Sequence, residues 1–584
     1  GVNNVNWVVF THAHRDQCQG GDQLKGKGIN VGVPEEQLKY FEDPGAVWDA
    51  NVIYHNYSFK PDFFEPIRRI YLDKAIASGE WFQWEDIGIE TMSNKGHTKE
   101  ESLTYIFYVD GKRFAFTGDL IHSPGKIWNF HDLQWKYNGQ EGANAAVKTL
   151  EELRAEKVDV LLPSHGVVMA DPASAIDETL INLKEVMDVL LWEKGNKDKA
   201  LSNTKLSPHV FHTRTSFFII ADNGNTLLYD MGVGGGFLDS IITKLKKEHG
   251  LKKIDKLLLS HYHDDHVGGV PYVKKKYGAE LWVHENLVDI IENPYRYNIP
   301  CIGSKGTKGN YPDEQGPKVD RVLRENETFE WEGYKFTVFH FPGQTEYHMG
   351  MYVEMDGHRM LFMGDSTYTP APGTIFRGEN FNCRNYCRLG EGTGYLECAE
   401  ILKKYNPDWA MAAHFGAIPI EPKDIEDYYQ WAKKLEPAFA KLIARDNPNF
   451  GTDPNWLSFY PYRLFAEAGE AFTTEVRVRN HSSHRARAVV TPILPKGWTA
   501  DPAEVSVSVK SEATGIAKFT VKISKGDPLP LRTVITANVR FDGTDFGEYP
   551  EMIVDKRSEK DSWPDRFKKK MDRNYGRKKK APLR

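Results

Sequence analysis

Short apolar runs, each closed by a knot of polar residues, recur along the first 420 residues of the chain. Trp7–Phe10, Phe114–Phe116, Val158–Leu162, Leu257–Leu259, Met360–Met363 and Trp409–Ala413 are strand-like in length and composition. Ser216–Ile220 and Thr226–Tyr229 add two more strand-like runs ahead of Leu257, and a helix is predicted from about Phe237 to Lys247. Amphipathic helices are predicted to open at Pro172, after Asp171, and at Pro422, after Glu421, because proline is favoured in a first helical turn. The pattern then changes. From Tyr462 to Asp555 it alternates, with strands predicted at Phe472–Arg479, Ala486–Ile493, Val505–Val509, Gly515–Ile523 and Leu531–Phe541, at the spacing of a β-sandwich. Residues 446–461, rich in Asn, Pro, Gly and Asp, read as a linker.

The polar knots carry the chemistry. After Leu257-Leu258-Leu259-Ser260 come His261, His263, Asp265 and His266, in the spacing H-x-H-x-D-H, followed by Gly268-Gly269. Four ligand-type side chains on one tight loop share a focus at acceptable cost only if a cation sits there. Imidazole with carboxylate favours zinc, with manganese or iron open. A degraded form of the same pattern follows the first apolar run: His12, His14 and Asp16, then Gln17 where a histidine is expected, then Gly20-Gly21. The chain is a tandem repeat found by its ligands. Gly96-His97-Thr98, Gly118-Asp119 and Ser164-His165 in the first half answer to Gly343-Gln344-Thr345, Gly364-Asp365 and Ala413-His414 in the second. His12 to His97 spans 85 residues and His261 to Gln344 spans 83; the next intervals are 22 against 21, then 46 against 49.

Both halves resemble the metallo-β-lactamase superfamily of hydrolases, over roughly residues 1–195 and 207–445. The resemblance implies an α/β fold: two four-layer αβ/βα sandwiches, in domains 1–200 and 207–445, with ligands on loops at one edge of the paired sheets. It implies two metal positions per copy. In the first copy, His12, His14 and His97 belong to position one, Asp16 and His165 to position two, and Asp119 bridges. In the second, His261 and His263 belong to position one, with Gln344 replacing the third histidine. Asp265, His266 and His414 complete position two, and Asp365 bridges. A neutral amide is a poor zinc ligand, so each copy is damaged at a different place. His348, four residues beyond Gln344, is the first candidate substitute ligand, with His340 behind it; His122, near Asp119, is read as a non-ligand. The first copy has only eleven residues before His12, too few for the opening hairpins of such a fold, and a preceding segment is expected to be missing.

The implied chemistry is hydrolysis by metal-activated water at a carbonyl, phosphoryl or sulfate ester, with the main site in the second copy. Asp265 and Asp365 are the expected catalytic carboxylates, and Tyr262 or Tyr347 the expected donor to the oxyanion. Two loops, Asn293–Gly316 and Arg377–Gly394, mix cationic and aromatic residues and suit a small anionic or sugar-like substrate. Two rival readings stand: a di-iron oxidoreductase of the same superfamily, and a binding or scaffold protein whose sites have decayed.

Bulk numbers narrow this further. A chain of 584 residues is too long for one core, so three or four domains are expected. The net charge is −6, but residues 556–584 form a basic tail with 13 Lys/Arg against 4 Asp/Glu, leaving the rest near −15; nucleic acid is not an expected partner. No apolar run is long enough to span a bilayer. The five cysteines do not form a disulfide framework. Residues 462–555 resemble the immunoglobulin-like modules of secreted bacterial enzymes, which implies a periplasmic or secreted protein. A homo-oligomer remains open.

Overall fold

The computed structural model describes residues 5–50, 64–135, 139–190, 200–299, 301–302, 316–367, 381–385, 387–526 and 528–558. Contacts divide the chain into two units, residues 1–188 with 438–584, and residues 189–437. The sequence-predicted tail beyond Ser558 and much of both expected substrate loops (303–315, 377–380 and Tyr386) lie outside the described residues.

The 189–437 unit holds two six-stranded sheets. In the first, Lys253–Leu258 runs parallel to Asn225–Tyr229 on one side and Glu280–His284 on the other. Leu257 and Leu258 are fully buried, as a strand covered on both faces requires. In the second sheet, His358–Gly364 and Trp409–Ala412 are parallel neighbours. Parallel strands end at the same edge, so their C-terminal ends deliver Asp365 and His414 together. The register slips between Phe362 and Gly364, and Gly364 adopts φ +50°. A side chain there would drive a Cβ to within 2.5 Å of the His348 ring and 2.6 Å of Ser260, so only glycine lets the strand turn its next residue inward.

The other unit repeats this device. Lys112–Gly118 and Val160–Pro163 are parallel, with the same slip before Gly118 at φ +55°, and their ends deliver Asp119 and His165. Its five-stranded sheet matches the corresponding part of the other copy, but the sheet bearing the first H-x-H has three parallel strands, Trp7–Val9, Asn30–Pro34 and Lys74–Ile76, where the second copy has six. The strands corresponding to Val210–Thr213, Ser216–Ile220 and Asn225–Tyr229 have no counterpart among the described residues.

The same unit contains the C-terminal all-β module: a four-stranded and a five-stranded sheet enclosing Val476, Val478, Ala488, Val490, Phe519, Ile535, Ala537 and Val539. The expected strands are present to within a residue. Thr544–Lys556, the longest strand, was not predicted. The expected linker at 446–461 is a correction. Asn449–Thr452 is a helical turn, Leu457–Tyr460 is a strand paired with Ala471–Arg479, and Phe450 and Trp456 are core residues of the module. The polar composition that signals a linker instead builds tight local bonds, such as Asn455 N–H donating to the Asp453 carboxylate, around two buried aromatics. Arg445 lies over the rings of Phe450 and Phe546, so the module is entered without a free connector.

Candidate metal centres

In the second copy the ligand loop leaves its strand at Leu258, and a single helical turn, Asp264–Val267, begins after His263. That turn faces Asp265 and His266 toward the ends of the other sheet. Two groups of metal-competent atoms form among the described residues: His261, His266 and Asp365, and Asp265, His266 and His414. Asp365 Oδ2 lies 3.2 Å from His266 Nε2, 3.3 Å from His414 Nε2 and 3.8 Å from His261 Nε2. Asp265 Oδ2 is 3.3 Å from His414 Nε2. Burial disfavours charge on His266, but Asp365, Asp265 and Asp230 outweigh it and hold the imidazole well above its ordinary range. Three carboxylates converging on one ring mark a place that demands positive charge. His261 Nε2 and Asp365 Oδ1 are buried with no hydrogen-bond partner, which a cation would supply.

Sequence reasoning missed Asp230. This fully buried residue accepts from Ser260 N–H at 2.6 Å and from the Ser260 hydroxyl at 2.6 Å, and it stands 2.9 Å from His266 Nδ1. Ser260 Oγ in turn lies 2.8 Å from His261 Nδ1. One carboxylate thus orients two ligand rings from behind. It follows a plain apolar strand with no motif, so its only signal was an aspartate ending an otherwise buried run. The first copy keeps the hydroxyl, with Thr11 Oγ1 2.9 Å from His12 Nδ1. Among the described residues it has no strand in the place of Asn225–Tyr229, which in the second copy leads into that carboxylate. Replacing Asp230 with alanine is expected to weaken metal binding in the second copy by about 10–100-fold. Metal titration against a competing chelator measures this, and unchanged affinity would contradict the orienting role.

Other expected residues take different places. His263 lies edge-on to His261, ring centroids 4.4 Å apart, outside both groups. Gln344 directs Nε2 to Asp365 Oδ2 at 3.3 Å. His348 stacks on His261 with centroids 5.0 Å apart and is also outside both groups; both its ring nitrogens are buried without a hydrogen-bond partner, and burial pushes its imidazole down to about 3. His340 bonds the Glu346 carbonyl instead. Tyr262, expected to donate to the oxyanion, is a further correction. It is 1% exposed, its hydroxyl donates to Asn385 at 3.5 Å, and burial holds the phenol far above its ordinary range. Tyr347 packs against Tyr262 and Tyr297. Of the cationic wall, Arg388 is bound in a fork to Glu346 at 2.8 and 2.6 Å and its charge is neutralised, while Arg384 is buried.

In the first copy His12, His14, His97 and Asp119 form one buried group. Asp16 and His165 pair with each other at 3.0 Å, and Gln17 Nε2 lies 2.8 Å from His165 Nε2. Burial opposes charge on His165, but Asp119 and Asp16 raise it to about 9. The two carboxylates thus favour positive charge at the position where a second cation is expected. His122 stacks on one face of the Trp128 ring and belongs to no metal-competent group among the described residues. All five cysteines are buried and none is in a disulfide.

A family model described as the metallo-beta-lactamase superfamily matches residues 1–165 and 211–414. Curated relatives include a hydroxyacylglutathione hydrolase of Aeromonas salmonicida, 27% identical over 28% of this chain and 52% of that protein. Another, from Klebsiella pneumoniae, is 25% identical over 41% of this chain and 80% of that protein. An endoribonuclease ysh1 of Schizosaccharomyces pombe is 29% identical over 26% and 20% respectively. The chain thus spans about half the length of the first of these relatives. Among solved structures, a metallo-beta-lactamase from Legionella gormanii is 16% identical with a TM-score of 0.30, over 43% of this chain and 98% of that one. A beta-lactamase from Chitinophaga pinensis is 17% identical with a TM-score of 0.29, over 42% and 94%.

Proposed function

The chain belongs to the metallo-beta-lactamase superfamily, and on that premise we propose that it is a metal-dependent hydrolase whose working centre is the second copy. The observation that carries this reading is Asp365, one carboxylate oxygen shared among the nitrogens of His266, His414 and His261 at 3.2–3.8 Å. His261, Asp265, His266, Asp365 and His414 would hold the metal. Zinc suits this nitrogen and oxygen set best, with manganese or iron as the alternatives. A divalent cation bound there supplies a water acidic enough to act as hydroxide near neutral pH.

The chain's own residues do the rest. Asp230 and Ser260 fix the two rings, and Asp365, shared among three imidazoles, is placed to receive and pass on a proton. Asp265 and His414 keep 40% and 35% of their side chains exposed, so this centre is open to a substrate. The bond cleaved is of ester type: carboxylic ester, lactone, phosphodiester or sulfate. Hydroxyacylglutathione, a thioester named in the relatives, is the first compound to try beside these. RNA, implied by the name endoribonuclease, is set against the charge near −15 outside the tail. The C-terminal module is read as an immunoglobulin-like spacer of an extracytoplasmic protein.

Elemental mass spectrometry of the parent, a His12→Ala/His14→Ala pair and a His261→Ala/His263→Ala pair, coupled to a screen of these substrates, tests the assignment. Metal is expected in the parent and lost in part from each pair, with hydrolysis lost from the second pair. A folded parent that holds no metal after reconstitution would sink the hydrolase reading and leave a scaffold.

A further inference from the structure

The two copies differ in access as well as in ligands. Asp265 and His414 of the second are 40% and 35% exposed, whereas their counterparts Asp16 and His165 are 14% and 24% exposed. The first copy's group is also complete in itself. His12, His14, His97 and Asp119 are all buried, and their ligand atoms lie within 4.8 Å of one another. Three imidazoles and a carboxylate would offer a cation four protein donors, as a closed structural site does; a catalytic site keeps one position for water or substrate. At the neighbouring position His165 Nε2 pairs with the Asp16 carboxylate at 3.0 Å, and the Gln17 amide donates to that carboxylate at 3.4 Å. Trp128 covers His165, its ring 4.5 Å away and inclined by 13°, and Phe546 of the C-terminal module lies against Trp128 at 6.0 Å.

That module grips the ligand loop itself. Arg15 stands between ligand His14 and Asp16. Its guanidinium donates to the carbonyls of Glu65, Glu548 and Tyr549 and pairs with Glu551 at 2.5 Å. Phe64 bridges the two, 6.0 Å from the His14 ring and 4.8 Å from the Tyr549 ring. Gly547 lies beside the loop, where a Cβ would meet Asp16 Cα at 3.8 Å in ordinary van der Waals contact. Three consecutive residues, 14 to 16, therefore face a ligand cluster on one side and a foreign strand on the other. Within the cluster His12 Nε2 and Asp119 Oδ1 are buried without a hydrogen-bond partner, so the loop's form is costly unless a cation completes it.

We propose that the first copy's metal site is structural: a divalent cation held by His12, His14, His97 and Asp119 sets the loop that presents Arg15 to strand Thr544–Lys556, and so fastens the C-terminal module to this copy. The site performs no chemistry of its own. Its readouts are metal retention and protection of that strand, so the inference fails or stands separately from the hydrolase reading.

The test uses the full chain loaded with zinc. The protein is held in excess EDTA, and the metal remaining is counted by native mass spectrometry over time, for the parent, a His261→Ala/His266→Ala variant and His97→Ala. The expected result is about one equivalent released at least 100-fold more slowly than the rest, as a closed four-ligand site predicts. It should be present in the parent and in the second-copy variant and absent from His97→Ala. Hydrogen exchange in 544–556 should then speed up at least 10-fold in His97→Ala, while exchange in 514–522, at the heart of the other sheet, stays as in the parent. Release of all metal from the parent at one rate would overturn the proposal, and so would loss of the slow equivalent from the second-copy variant. Unchanged exchange of 544–556 in His97→Ala would do the same. If His97→Ala does not fold, the proposal is decided by the parent alone: exchange in 544–556 must rise as the slow equivalent leaves.

Discussion

A His266→Gln variant should keep its fold and lose hydrolysis, with kcat/KM falling on the order of 10²–10³-fold, the scale of removing one preorganised charge-stabilising group. The substitution writes into the second copy what Gln17 already is in the first. His266 is the only residue common to both metal-competent groups of this centre, and its Nε2 faces both Asp365 at 3.2 Å and Asp265 at 3.8 Å. An amide has nearly the same size and can still donate to Asp230, so packing behind the ring is preserved while an imidazole ligand is exchanged for a poor one. The first copy shows where the chain goes from there. Its His165 closes on Asp16 at 3.0 Å, and Gln17 Nε2 donates to the same carboxylate at 3.4 Å. In the variant His414 and Asp265, already 3.3 Å apart, should pair in the same way. Steady-state rates with the best substrate, read beside metal content and far-UV circular dichroism, decide it. Turnover within about threefold of the parent, with metal retained, would mean that His266 is no ligand and that the working centre lies elsewhere.

The candidate metal-binding residues stood out because their pattern occurs twice. His12, His14, Asp16, Asp119 and His165 recur at matched intervals as His261, His263, Asp265, Asp365 and His414, and a loop that must end a strand at a metal tolerates little drift. What supports them was not legible. Asp230 and Ser260 act through distance in space, across parallel strands that meet only in the folded sheet. Tyr262 sits between two ligands in sequence, which suggested a role beside them, yet on a tight loop successive side chains point apart, and it goes into the core. The stretch 446–461 misled through composition. Its Asn, Pro and Gly residues serve tight turns around Phe450 and Trp456, and these two separated aromatics do not show a period. The grip of the C-terminal module on the first ligand loop could not be read at all. Arg15 and Glu551 lie more than five hundred residues apart, and neither belongs to a motif.

That ion pair sets the largest expected effect on stability. Arg15→Ala should destabilise the unit formed by residues 1–188 and 438–584 by about 3–5 kcal/mol, the cost of removing one partner of a buried pair. Both side chains are buried, and the guanidinium also satisfies three backbone carbonyls from two separate segments. Truncation leaves a carboxylate and those acceptors without their donor in a dry interface. Arg15→Lys should recover only part of the loss, because an ammonium is a single point and cannot serve a fork of partners. The deficit should depend on pH. Burial pushes Glu551 up from 4.5 to about 6 even though Arg15 pulls it down. A carboxyl raised in the folded state contributes stability that is complete below its unfolded pKa and is lost as pH rises through the folded one. Without Arg15 the downward pull is gone and the folded value climbs further. The variant therefore gains more from acid than the parent does, and its deficit should be smaller near about pH 5 than near about pH 8. Urea unfolding at both pH values, followed by circular dichroism, measures this. An equal deficit at both would mean that Glu551 is not left charged in the interface, and a deficit under about 1 kcal/mol would place the pair among surface-like contacts and remove the anchor on which the ligand loop and the strand Thr544–Lys556 are joined.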